Sequence, residues 1–273
     1  MTKEKKKIEI LNTSLWRILA YFTIYSFLGY VIETLFAIVT YGIWESRQSF
    51  LYGPFCSIYG VGAVVIILIL KNKFSKNTHT LFLGGFLVGS VVEYIVSLVG
   101  EVLLGVKWWD YSDRFLNING RVCLLYSLFW GILGLYLLKE VNPRVDKFID
   151  WFKGKVNVNA LKSISMALTI FLLADCILSA FAINFFLIRI SYENNLDVKN
   201  KTQLEEYYDK IYKESPKLSK FIYDFWGDYK MIRTYPNLTV ELEDDTLVYV
   251  KNYLPDIQSY YYKFHLKEGI IEK

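Results

Sequence analysis

Five blocks of mostly apolar residues, at about 15–41, 54–70, 81–104, 122–138 and 163–188, constrain this chain more than any other feature. A helix needs about 20 such residues to cross the hydrocarbon layer, so each block reads as a span, the second and fourth being short for it. With 53% hydrophobic residues gathered into blocks, the expectation is an all-α polytopic membrane protein. Five transmembrane helices occupy residues 1–190, and a mainly helical extracytoplasmic tail follows over 191–273. The first block is too long for the apolar core of a secretory signal and lacks its small-residue cleavage site, so it reads as a retained span.

Lys and Arg in short connectors resist translocation and so orient the spans. Lys3, Lys5, Lys6, Lys7 and Arg17 stand at the first span, and the next connector has Arg47. Lys71, Lys73 and Lys76 follow, then Lys107, Arg114 and Arg121, then Lys139, Arg144, Lys147, Lys153, Lys155 and Lys162. The alternation predicts a cell-membrane protein with a cytoplasmic N-terminus and an outer tail. In the last cytoplasmic connector, Asn142-Pro143 opens and Gly154 closes a short amphipathic helix with Val145, Phe148, Ile149 and Phe152 on one face. Such a helix either floats at the headgroups or docks a soluble partner.

The tail is mildly acidic, with 12 Lys plus Arg against 15 Asp plus Glu from Ser191 onward. Thr202-Gln-Leu-Glu205 forms a capping-box pattern and Ser215-Pro216 an N-cap with proline behind it, which predicts helices near 203–214 and 216–233. Residues 238–254 fit a hairpin or a helix equally. The tail is rich in tyrosine and is expected to lie against the membrane surface or the outer loops.

The spans repeat. Gly29-Tyr-Val-Ile-Glu33 in the first matches Gly89-Ser-Val-Val-Glu93 in the third. Each is followed by Phe-Leu in an outer connector (Phe50-Leu51, Phe115-Leu116) and by G-x-x-C at the mouth of the next span (Gly53-Pro-Phe-Cys56, Gly120-Arg-Val-Cys123). A tandem two-helix repeat would relate the halves by an axis along the membrane normal. The repeated glutamates matter because a carboxylate in the bilayer costs about 3 kcal/mol and must face protein or water. Both lie on faces of small residues, so Glu33 and Glu93 are expected to approach each other or a shared cavity, with Arg121 as the nearest cation and Arg47, Lys107 and Arg114 as alternatives.

The candidate substrate-binding set is therefore Glu33, Glu93, Arg121, Asn117, Asn119, Asp110, Trp109 and Tyr59. Each has a plainer alternative. The glutamates can be neutral, hydrogen-bonded glue between helices, and Trp108, Trp109, Tyr111 and Tyr126 can be interface anchors. Asp175 and Asn184 in the fifth span either line the same cavity or bond a neighbouring helix.

Other chemistries are not expected. There is no G-x-x-x-x-G-K-[ST] loop, His79 and His265 fall on opposite predicted sides, and Cys56, Cys123 and Cys176 lack zinc spacing. Neither a cofactor nor a metal is expected, nor nucleic acid, since the basic residues serve topology.

At Gly53-Pro-Phe-Cys-Ser-Ile-Tyr-Gly60, Trp108-Trp-Asp-Tyr-Ser112 and Asn117-Ile-Asn-Gly-Arg121 the sequence resembles the bacterial membrane family named "putative ABC-transporter type IV". The likeness covers about residues 20–140, with weaker likeness in the fifth span and at Thr234-Tyr-Pro-Asn237; Ser57 stands where the family pattern has a second proline. The resemblance implies a permease-like subunit, and the two-unit symmetry and intramembrane carboxylates favour one with an outward-facing polar pocket for a solute or lipid. A separate ATPase subunit would be its partner, and a homodimer would make up for the small span count. One alternative is a membrane-embedded enzyme acting on a lipid or envelope precursor, with Glu33 or Glu93 as general base and Arg121 with Asn117 or Asn119 holding a phosphate or carboxylate. Another is a non-catalytic envelope protein whose tail binds an outer partner.

Overall fold

Each apolar block is helical in a computed structural model of the chain, which describes residues 9–11, 13–74, 77–104 and 107–264. The basic residues Lys3, Lys5, Lys6, Lys7 and Lys76, and His265, lie outside these. The helices are α1 (Leu15–Tyr41), α2 (Ser57–Phe74), α3 (Thr78–Leu104), α4 (Leu124–Tyr136), α5 (Asn142–Lys155) and α6 (Val158–Glu193), and a two-residue strand pair, β1 (Glu9–Ile10) and β2 (Thr13–Ser14), precedes them. Among the described residues, four helical stretches are long and apolar enough to cross a membrane: Leu15–Tyr41, Thr78–Val102, Leu124–Lys155 and Val158–Glu193. Ser57–Lys71 is a shorter apolar helix. Large apolar side chains such as Leu87, Val91, Ile170 and Ile177 stay exposed on these helices, which suits a lipid solvent.

The chain divides into two units. The first comprises Met1–Gly29, Cys56–Leu98 and Trp109–Leu173, the second Tyr30–Phe55, Val99–Trp108 and Ala174–Lys273.

In the first unit, glycines let helix backbones meet. A Cβ on Gly85 would sit 2.9 Å from the Trp130 carbonyl oxygen and 3.1 Å from the Gly134 Cα, and the Trp130 ring occupies the space beside Gly62 and Gly89. Ile66, Leu70 and Leu81 pack with Trp130, while Tyr21, Tyr25, Ala63, Ile67, Val145 and Ile149 form a second cluster.

Here α5 corrects two expectations. It does not start afresh at Asn142-Pro143: a π turn, Leu137–Val141, carries α4 directly into it. Pro143 has no N–H to donate, and the ladder loosens ahead of it, with the Asn142 N–H reaching back five residues to the Leu137 carbonyl. Arg144 Nη1 supplies a donor to the Glu140 carbonyl at 2.6 Å. Nor does Gly154 end α5, which runs to Lys155 and caps at extended Val156. Polar side chains bond α5 to its neighbours. Asp146 accepts from Arg17 Nη2 at 2.8 Å, Lys71 Nζ at 2.6 Å and the Tyr21 hydroxyl, and Asn142 Nδ2 donates to the Tyr25 hydroxyl at 2.9 Å. Val145 and Ile149 are buried, whereas Phe148 and Trp151 remain more than half exposed.

The second unit has its own core, which includes Leu51 of the connector between α1 and α2, Phe186 and Ile190 of α6, and Ile222, Trp226, Met231 and Val250 of the tail. The tail helices are α7 (Lys201–Tyr208), extended by a π turn Asp209–Lys213, α8 (Pro216–Trp226) and α9 (Asp228–Thr234). The helix expected over 216–233 is thus two, because Gly227 adopts extended backbone (ψ 169°) and serves as N-cap of α9. The capping-box pattern is also unused. Asn200 in the left-handed conformation (φ 60°) precedes α7, and its carbonyl takes the N–H groups of Gln203 and Leu204.

Residues 238–254 form a hairpin, β4 (Thr239–Glu241) against β5 (Leu247–Tyr249), followed by a 3-10 turn, Val250–Tyr253. In the connector between α1 and α2, β3 (Ile43–Glu45) pairs antiparallel with β6 (Tyr260–Lys263), so the tail lies on that connector. Asp175 and Ser179 of α6 hold the same connector. The Tyr52 N–H donates to both Asp175 oxygens (3.2 and 3.0 Å) and the Leu51 N–H to Ser179 Oγ (2.7 Å). Asn184 bonds its own helix at the Ala180 carbonyl.

Candidate functional site

The candidate site lies in the first unit, where α3 meets the connector between α3 and α4. Glu93 sits one turn beyond Gly89, whose missing side chain admits Trp130, and is 5% exposed. Its Oε1 accepts the Tyr111 hydroxyl at 3.3 Å. The Tyr111 ring stacks on Tyr126 at 4.6 Å between centroids and beside Trp109 at 6.4 Å. Burial first, and then the charge of Glu93, pushes the Tyr111 phenol well above its ordinary value, so it remains a proton donor at neutral pH.

The connector is folded by its own polar side chains. Asp110 Oδ1 accepts the Ser112 N–H (2.8 Å) and hydroxyl (2.6 Å), an Asx-type turn. Asn117 Nδ2 donates to the carbonyls of Ser112 (2.9 Å) and Arg114 (3.1 Å), and its oxygen accepts the Gly120 N–H (3.2 Å). Leu116, Asn119 and Gly120 all have positive φ (51°, 52° and 64°). The turn then presents two groups to Tyr94, the residue after Glu93. Asn119 Nδ2 donates to the Tyr94 hydroxyl at 2.9 Å, and the Arg121 guanidinium lies 5.7 Å from the Tyr94 ring centroid while Nη1 donates to the Asn119 carbonyl at 3.0 Å. Trp109 Nε1 donates to the Arg121 carbonyl at 2.9 Å.

Of the residues singled out in the sequence, Glu93, Trp109, Asp110, Asn117, Asn119 and Arg121 therefore belong to one constellation, with Asp110 and Asn117 engaged in folding the turn. Tyr59 packs elsewhere on α2, against Gly29 and 5.9 Å from Trp130. Glu33 is half-buried on the part of α1 that belongs to the second unit. The alternative cations differ in use: Arg47 pairs with Glu45 at 2.5 Å and Lys107 with Glu241 at 3.1 Å.

Tyr94 and Tyr111 carry the partners of the site; in sequence Tyr111 reads as an interface anchor, and Tyr94 is marked only by following the repeated glutamate. Glu45 is likewise unmarked in the sequence. It is buried, pairs with Arg47 and accepts from Asn237 Nδ2 at 3.1 Å, which gives Thr234-Tyr-Pro-Asn237 a docking role. A groove of roughly 380 Å3 between α2 and α3, lined by Val61, Val65, Ile69, Leu87, Val91 and Ile95 among others, is apolar throughout and offers a ligand no polar anchor.

Four membrane-length apolar helices, with carboxylates buried on two of them, Glu93 and Asp175, define a multi-pass membrane protein. The family model described as "Putative ABC-transporter type IV" matches residues 20–180, and the chain belongs to that family. No curated protein and no solved structure matches it.

Proposed function

We propose that the protein is a permease-like subunit that binds an unidentified solute or lipid at an outward-facing polar site and works with a separate ATPase. On this reading α2 is a fifth span, the two-helix motif is a tandem repeat, the N-terminus is cytoplasmic and residues 191–273 are extracytoplasmic. A homodimer would complete the translocation path. The observation that carries the proposal is Glu93: a carboxylate buried in a membrane helix beside Tyr94, under a structured turn that brings Tyr111 to its Oε1 and Asn119 and Arg121 to Tyr94. Burial there is costly, and an ionisable residue within a membrane helix is a functional-site candidate by default. The donors and the guanidinium suit an anionic or hydroxyl-bearing group, and the stacked rings suit the apolar part of an amphipathic ligand.

Glu93→Gln at unchanged membrane abundance tests this. Loss of the transport-dependent phenotype of a deletion strain complemented with the variant is expected, with Glu33→Gln, at the counterpart position of the first motif, as the comparison. Full complementation by Glu93→Gln would remove the site assignment. The ATPase is tested by affinity capture of the intact protein from detergent extract, where a nucleotide-binding subunit is the expected companion.

A further inference from the structure

We infer that helix α8 of the tail is embedded in the outer interface of the bilayer, with its Leu218, Phe221 and Phe225 face in contact with lipid. Spaced at i, i+3 and i+7, these residues share one side of the helix. They are 37%, 43% and 56% exposed, while Ile222 and Trp226 beside them are buried in the core of the second unit. An exposed stripe on a helix that already has a buried face is what a monotopic membrane helix presents.

The occupant is identified by continuity with a membrane span. On α6 the side chains of Ile177, Leu178 and Phe181 are exposed and apolar, as a lipid-facing surface is. From Phe181 an unbroken run of rings leads to the stripe: Phe181 to Phe185 at 6.0 Å, Phe185 to Trp226 at 6.2 Å, Trp226 to Phe221 at 5.1 Å and Phe221 to Phe225 at 4.8 Å. The stripe thus begins beside residues inside the apolar block of α6 and not beyond its end. The other side of α8 marks the polar boundary. Its Tyr223 lies 4.8 Å under the Arg189 guanidinium and donates to Glu193 at 3.3 Å, and Arg189 pairs with Asp228. Lys220 and Asp224 are exposed on that polar side. This arrangement would set the apolar face about 5–10 Å into the headgroup–acyl boundary. The inference rests on α6 crossing the membrane and is independent of any role for Glu93.

Nitroxide labels on the full-length chain in phosphatidylcholine–phosphatidylglycerol vesicles test it, in a background carrying Cys56→Ser, Cys123→Ser and Cys176→Ser. Labels at Phe221→Cys and Phe225→Cys are expected to collide with molecular oxygen and exclude a water-soluble nickel chelate, as a label at Ile177→Cys does. Labels at Lys220→Cys and Asp224→Cys should show the reverse, with an oxygen-to-nickel accessibility ratio several-fold lower. Leu218→Cys reads the same face should either phenylalanine variant fail to fold. Nickel access at 218, 221 and 225 equal to that at 220 would place the stripe in water and overturn the inference. Shielding from both reagents would assign it to a protein contact, a second copy or another chain, and overturn it equally.

Discussion

Single residues decide whether the connector over Glu93 keeps its shape. Gly120 has φ of 64°, and a Cβ there would meet Asp110 Oδ1 at 2.5 Å and Ser112 Oγ at 2.7 Å. Gly120→Ala is therefore expected to cost at least about 1–2 kcal/mol, the ordinary penalty of the left-handed region, with a lower thermal midpoint by intrinsic tryptophan fluorescence in detergent. Tyr111 yields a prediction in pH. Its phenol titrates above its unfolded value, so its contribution is fully present below about pH 10 and is lost as pH rises from there, because the unfolded chain releases a proton the folded one retains. Tyr111→Phe should lose stability less steeply than the parent above about pH 10, as denaturant midpoints across alkaline pH would reveal. Equal slopes would mean that the hydroxyl is not held as described. The residues of this site divide by how visible they are in sequence. A glutamate in an apolar block stands out on solvation cost alone, whereas Tyr111, which bonds it, resembles any interfacial tyrosine until the connector is seen to fold.

At the scale of elements, α1 ends at the residues the apolar block predicts, because solvation in lipid leaves one answer for a continuous run. Where polar and apolar residues mix, local signals compete and sequence is a weaker guide. Thr202-Gln-Leu-Glu205 has a capping-box spacing, but Asn200 tolerates the left-handed conformation and starts the helix two residues earlier. Strands of three or four residues such as β3 and β6 carry no periodicity to read, and pairing across more than 200 residues is settled by tertiary packing. The π turn ahead of Pro143 belongs here as well: proline announces an interruption, yet a widened ladder lets α5 continue and delivers Asp146 to Arg17 and Lys71. The Lys71–Asp146 pair should be energetically coupled. In a cycle of Lys71→Met, Asp146→Asn and the double variant, unfolding in detergent is expected to give an interaction energy between about 0.5 and 3 kcal/mol. A smaller value would class it with exposed surface pairs.

For the molecule as a whole, membership of a transporter-type membrane family follows from motifs and apolar blocks that are all in the sequence. What the sequence does not disclose is how its C-terminal part is held. In the second unit the tail is fastened to the α1–α2 and α3–α4 connectors by β3–β6 pairing, by Asn237 on Glu45, and by Lys107 on Glu241. Asn237→Ala removes a donor from a buried carboxylate, a loss of about 1.5–3 kcal/mol for a bond to a charged group. Protease added outside sealed vesicles should then cut faster at Lys251 and Lys263, followed by mass spectrometry of released fragments. Unchanged cleavage would show that strand pairing alone secures the segment.

The Glu45–Asn237 bond joins residues 192 positions apart. At a synthesis rate of about 5–20 residues per second, Asn237 leaves the ribosome roughly ten to forty seconds after Glu45 does. Through that interval the connector between α1 and α2 must exist without the strand and the amide that later complete it. Biogenesis thus contains a waiting period, in which a nascent membrane chain displays an unfilled strand edge and closes it with residues made more than 200 positions later.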